Sequence, residues 1–223
     1  MSESDRIEEF RERHEQIREK IARYTDPDEV TIVWVTKTFD AATVRDAVSA
    51  GAHAVGENYA QEFVQKFDTT SELKDRLDWH FIGHLQSNKT AMVAARADVV
   101  QSISREKELT LLARLGFGGE LYLQVRDDDD PARNGVLPSE LPGLLERGSA
   151  LGLQITGLMG VASLSGSHEP SKFFRLLREL VDRFQLQNCS MGMSDDFELA
   201  VANGANVVRL GRSLLGARRV GPP

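Results

Sequence analysis

The sequence predicts a closed (β/α)8 barrel of the TIM type, an α/β fold, with one extra helix at its N-terminal end. Three observations carry that expectation: eight short apolar runs of strand length, a helical pattern between each run and the next, and a 223-residue composition without linkers, low-complexity tracts or breaks. An open doubly wound sheet of eight strands satisfies the same count of elements. The closed barrel fits better because regular βα units take up nearly the whole chain.

Residues 2–24 come first. Ile7, Phe10, Ile17 and Ile21 fall at helical spacing among many Glu and Arg, giving an amphipathic helix whose apolar stripe needs a partner surface. After Asp26-Pro27-Asp28 the pattern changes to strands alternating with helices. The apolar runs are 30–36, 52–56, 79–83, 98–103, 120–126, 153–161, 188–192 and 206–211. Helical patterns at 41–50, 59–67, 88–97, 106–115, 139–151, 170–184 and 196–203 separate them, with Gly51, Gly116, Gly152 and Gly204 at C-cap positions. The barrel then occupies about 30–218, and 1–223 reads as a single domain.

Composition bounds the partners. A net charge of −7, without a dense Lys/Arg stripe and with few aromatics, argues against a nucleic-acid binder, which needs concentrated positive charge. The single cysteine, Cys189, cannot form an internal disulfide and sits in an apolar run, where it reads as a small buried hydrophobe. With no signal-type stretch and no run of eighteen apolar residues, the expectation is a cytoplasmic protein that does not enter a membrane.

In a barrel of this kind functional residues gather at the C-terminal ends of the strands. The polar residues that end or follow the runs are Lys37, Glu57 and Asn58, His84, Ser102, Arg126, Ser163, Ser190 with Ser194, and Arg209. Lys37 closes the run that begins at Val30. Burial against an apolar wall lowers a lysine pKa and readies the amine to attack a carbonyl, whereas a lysine that snorkels to solvent does no such chemistry. The loops Ser190-Met-Gly-Met-Ser194 and Arg209-Leu-Gly-Arg-Ser213 follow strands seven and eight, where such barrels commonly bind phosphate through exposed N–H groups beside Gly. Strand eight neighbours strand one in a closed barrel, so amine and phosphate cradle share a rim. Pyridoxal 5′-phosphate needs that pair, together with a partner for its pyridine nitrogen. Arg209 would serve as that partner and would damp carbanion chemistry.

The stretches Val35-Thr-Lys37-Thr, Gly56-Glu-Asn-Tyr59-Ala-Gln-Glu62, Trp79-His-Phe-Ile-Gly-His-Leu-Gln-Ser-Asn-Lys89, Gly157-Leu-Met159, Ser190-Met-Gly-Met-Ser-Asp-Asp-Phe-Glu198 and Val208-Arg-Leu-Gly211 resemble the pyridoxal phosphate homeostasis protein family. The resemblance implies a barrel similar to the N-terminal domain of alanine racemase, with the cofactor covalently held as an aldimine on Lys37. It implies the ring-nitrogen contact at Arg209, phosphate contacts at Ser190 or Ser194 and at the backbone of Gly211 and Arg212, Asn58 and His80 lining the pocket, and Met159 near the ring. Spacing leaves the choice between Ser190 and Ser194 open. Three positions depart from the family pattern: Phe39 and Arg133 stand where the family carries lysines, and Arg212 stands where it carries threonine.

Other polar residues have plainer readings. His80 and His84 lack a third ligand for a metal, and the acidic run 127–130 reads as a solvated loop. Asp195 and Asp196 read as caps of the following helix, and Glu57 as a group that holds another site residue. Two functional classes remain. One is a carrier that limits free pyridoxal phosphate and supplies apo-enzymes, monomeric and without catalytic turnover. The alternative is an amino-acid racemase or decarboxylase. A racemase of this barrel type needs a second acid/base, commonly a tyrosine from a separate β-domain. Tyr24, Tyr59 and Tyr122 stand outside any such domain, which favours the carrier.

Overall fold

The computed structural model describes residues 2–126, 134–162 and 169–216. The acidic run 127–130, Arg133, Ser163 and the end of the barrel at 218 lie outside the described residues. Eight parallel strands close on themselves in sequence order: β1 (Thr31–Val35), β2 (Ala54–Glu57), β3 (Asp78–Phe81), β4 (Val99–Ile103), β5 (Glu120–Val125), β6 (Gln154–Gly160), β7 (Asn188–Ser190) and β8 (Val207–Leu210). The last strand pairs with the first, Val33 opposite Arg209 and Trp34 opposite Leu210. This closure excludes the open sheet and puts the ends of β8 and β1 side by side.

The helices are α1 (Glu3–Ile21), α2 (Ala41–Ser49), α3 (Ala60–Thr69), α4 (Thr90–Ala94), α5 (Glu106–Arg114), α6 (Leu141–Ala150), α7 (Pro170–Arg183), α8 (Phe197–Ala202) and α9 (Arg212–Leu215). Gly51, Gly116, Gly152 and Gly204 all have positive φ, as helix-ending glycines should. The pattern at 88–97 overstates α4, which is only one and a half turns long; α9 carried no periodic signal because it is four residues long. The first helix begins with a capping box between Ser2 and Asp5. It buries Phe10, Ile17 and Ile21, and Phe10 meets Trp34 of β1 edge-on at 6.1 Å between ring centroids. Each such buried side chain stabilises the fold by roughly 2 kcal/mol. Arg13 donates to the Leu214 carbonyl and Arg6 pairs with Asp46, so α1 lies across α9 and α2.

Two packing layers follow from the period-two alternation of the strands. Trp34, Val55, Trp79, Val100, Leu121, Leu158, Cys189 and Val208 belong to the large core shared with the helices. Val33, Ala54, Val99, Tyr122, Met159 and Val207 form a second cluster within the barrel. The next inward positions along each strand build the site.

Candidate functional site

At the C-terminal mouth of the barrel lies a cavity of about 590 Å³. Of the nine residues expected at the site, Lys37, Asn58, Met159, Ser194, Arg209, Gly211 and Arg212 line it; His80 and Ser190 do not. Val35, Phe39, Ile82, Val161 and Met193 add apolar walls. Val33 and Val35 occupy inward positions of β1, and Lys37 extends that parity two residues further. The lysine is partly buried.

Beneath the cavity runs a buried polar layer. Arg209 donates through Nη1 to Ser190 Oγ at 2.6 Å and through Nη2 to the Gly160 carbonyl at 2.8 Å. Ser190 in turn donates to Gln101 Oε1 at 2.7 Å, and Gln101 Nε2 lies 2.7 Å from His80 Nδ1. Gln101 must donate there, since its oxygen already accepts, so His80 Nδ1 is the acceptor and the neutral ring carries its proton on Nε2. Burial agrees, pushing the imidazole down to about 3. The same burial lowers Arg209 to about 10, which leaves the guanidinium charged at neutral pH. Ser190 is fully buried and committed to Arg209 and Gln101, so its hydroxyl supports the site from below instead of lining it.

At the opposite end of the cavity the two loops after β7 and β8 meet. Ser194 Oγ accepts from the Ser213 N–H at 3.2 Å and lies 3.2 Å from the Ser213 hydroxyl. Arg212 forms an ion pair with Asp195 across the loops. Asp196 accepts from the Met193 N–H at 2.6 Å. Neither aspartate makes the side-chain cap of α8 that the sequence suggested: Asp195 is drawn to Arg212 of α9 and Asp196 to the Met193 N–H in the loop before α8. Gly192 holds φ +92°, and a Cβ there would stand 2.6 Å from Ala200 Cβ, so this turn is built around a glycine.

Asn58 follows β2, and its Oδ1 is buried without a hydrogen-bond partner among the described residues. Gly83 presses against it from the next loop, with room for no Cβ: such an atom would lie 1.9 Å from the Asn58 carbonyl oxygen. Close beside it, Glu57 is fully buried and is held by Lys66 Nζ at 2.7 Å and by the Thr36 hydroxyl. Burial pushes the Glu57 carboxyl up to about 6, against the pull of Lys66. Not every strand-end residue converges on the cavity. His84 is exposed and faces Arg105, Ser102 donates to the Gly83 carbonyl, and Arg126 donates to the Gly135 carbonyl.

Gln101 and Lys66 escaped the reading of the sequence. A signal for each existed. Gln101 is a polar residue two positions after the inward-facing Val99. Lys66 falls on the buried face of α3 beside Phe63, where a solvated lysine does not belong.

No family model matches the chain. It is 38% identical over 206 residues to the pyridoxal phosphate homeostasis protein of Pseudomonas aeruginosa, covering 89% of each chain. Among solved structures it is similar to PipY of Synechococcus elongatus with pyridoxal phosphate bound, with a TM-score of 0.81 and 34% identity over 93% of this chain and 100% of that one. The alanine racemase of Streptomyces coelicolor shares the fold alone, at TM-score 0.73 and 19% identity over 93% of this chain and 58% of that one.

Proposed function

From the premise that the chain belongs to the pyridoxal phosphate homeostasis protein family, we propose that it binds pyridoxal 5′-phosphate covalently through Lys37 and acts as a carrier of the cofactor, not as a catalyst. The observation that carries this reading is that an amine, a buried guanidinium and a hydroxyl-lined loop pair share one 590 Å³ cavity, a volume suited to a small ligand. Attachment joins Lys37 Nζ to the aldehyde carbon and expels the aldehyde oxygen as water; addition of water reverses it.

The residues present fit the group. Asn58 lines the cavity and carries an orphaned acceptor, Oδ1, that a hydroxyl beside the aldehyde would satisfy. Arg209 spends two of its five N–H donors on the barrel and can direct another at a pyridine nitrogen. A permanently charged donor there keeps that nitrogen unprotonated, so the ring is a poor electron sink and holding is favoured over turnover. Ser194, with Ser213 and the backbone of Gly211 and Arg212, supplies the anion end, and the Arg212 guanidinium stands where it can exchange Asp195 for a phosphate oxygen. Met159 and Ile82 contribute apolar walls for the ring.

The absorption spectrum of the purified protein tests the proposal. A band near roughly 420 nm that borohydride fixes to Lys37 is expected, and a Lys37→Ala variant that keeps the same reducible band would refute the assignment. Holo-protein incubated with single amino acids should show no α-proton exchange or product at ordinary enzyme rates; such turnover would replace the carrier with an enzyme.

A further inference from the structure

Lys37 sits in a tight turn. The Phe39 N–H donates to the Thr36 carbonyl at 3.0 Å, which makes Lys37 and Thr38 the two central residues. Thr38 has φ +69°, a left-handed conformation that a β-branched residue rarely adopts. Such a conformation persists only where the surroundings over-determine it, and α3 does so from one side. Lys66, 3% exposed, donates to the Thr36 carbonyl at 2.6 Å. Glu62, one helical turn earlier, accepts the Thr38 N–H. Lys66 bridges to Glu62 and to Glu57 at 2.7 Å each, so its three N–H donors are all used.

We propose that Lys66 and Glu62 are positioning residues that grip the backbone on both sides of Lys37 and so fix where its amine stands in the cavity, with Glu57 holding Lys66 from below. This rests on the reading of Lys37 as the attachment residue. The clamp packs on the α3 side of the turn, with Lys66 buried and the Thr38–Glu62 hydrogen bond exposed, and it contributes no atom to the cavity lining. Its effect therefore falls on formation of the bond to Lys37, and binding of the phosphate and ring is left alone. A displaced amine loses reaction rate steeply, since orientation of reacting atoms is worth orders of magnitude.

Glu62→Ala is the variant of choice. It removes the anchor of Thr38 while Lys66 keeps Glu57 and Thr36, so no buried charge is stripped of its partner. Three quantities are measured on folded apo-protein: the rate of the absorption change on adding pyridoxal 5′-phosphate, the affinity for pyridoxine 5′-phosphate, which has no aldehyde, and the thermal midpoint. The expected result is a roughly ten- to hundredfold slower rate with pyridoxine 5′-phosphate affinity unchanged, and recovery in Glu62→Gln, which retains an acceptor for Thr38. An unchanged rate overturns the clamp, as does a parallel loss of pyridoxine 5′-phosphate affinity. If Glu62→Ala does not fold, Glu62→Asp, which retracts the acceptor by one methylene, must show the same selective slowing or the clamp is overturned. Failure of the wild-type protein to form a borohydride-reducible bond at Lys37 is a different outcome: it removes the carrier assignment itself and the clamp with it.

Discussion

Arg209 on β8 donates to the hydroxyl of Ser190 on β7 at 2.6 Å, and that hydroxyl in turn donates a hydrogen bond to Gln101 Oε1 across the barrel. The serine thereby orients a buried cation that lines the cavity floor. It also fixes the tautomer of His80, because Gln101, whose oxygen is taken by Ser190, must donate to Nδ1.

Ser190→Ala leaves a buried guanidinium N–H and the Gln101 oxygen without partners. Unsatisfied groups of this kind cost about 1–3 kcal/mol. Urea denaturation of the apo-protein should show a loss of that size, and affinity for pyridoxal 5′-phosphate and for pyridoxal should fall together, because the proposed ring-nitrogen donor, Arg209, is disturbed and the proposed anion site is intact. A loss confined to the phosphorylated ligand would mean that Ser190 contacts phosphate after all.

Ser194→Ala should behave in the opposite way. Its hydroxyl lines the cavity at the proposed anion end and is only partly buried, so stability should change by less than about 0.5 kcal/mol. The affinity for pyridoxal 5′-phosphate should fall several-fold while that for pyridoxal, measured by equilibrium titration, stays level.

Two buried groups push the stability of the protein in opposite directions with pH. The folded chain holds His80 neutral, with the imidazole at about 3 against 6.5 when unfolded. The unfolded state therefore takes up a proton that the folded state refuses, and stability is lost as pH falls from 6.5 toward 3, by about 1.4 kcal/mol per pH unit. Glu57 is raised from 4.5 to about 6, so its contribution is present below 4.5 and lost as pH rises through 6. Its whole span is about 2 kcal/mol. Unfolding free energies of wild type minus His80→Gln should decline on acidification, while wild type minus Glu57→Gln should rise between pH 6 and 4.5. Parallel curves for either pair would show that the group does not titrate as described.

Gly192→Ala should destabilise the loop after β7. It forces a side chain into φ +92° and against Ala200. A cost of about 1–3 kcal/mol in thermal or urea unfolding is expected. The Gly192 carbonyl accepts the Arg209 N–H at 3.0 Å, so affinity for the cofactor should fall with it.

The sequence by itself determined the eight strands, most of the helices and the loops that frame the cavity, and favoured the closed barrel that the pairing of β8 with β1 then established. These depend on local periodicity, on glycines at helix ends and on the strand count, all of which are carried by neighbouring residues. It also marked Lys37, Arg209, Asn58 and Ser194, because residues at strand ends share one rim in any such barrel. Only the tertiary structure showed that Ser190 and Ser194 have different surroundings. Spacing along the loop is the same for either hydroxyl to reach the rim, but the inward side of β7 is packed against β4 and β8, where Gln101 and Arg209 claim Ser190. Lys66 likewise needed the fold. A lysine in a helical pattern reads as solvated, and it is the packing of α3 against the ends of β1 and β2 that buries it between Glu57 and the Thr36 carbonyl. Contacts between residues 9 to 89 positions apart set these roles, and no short-range pattern encodes them.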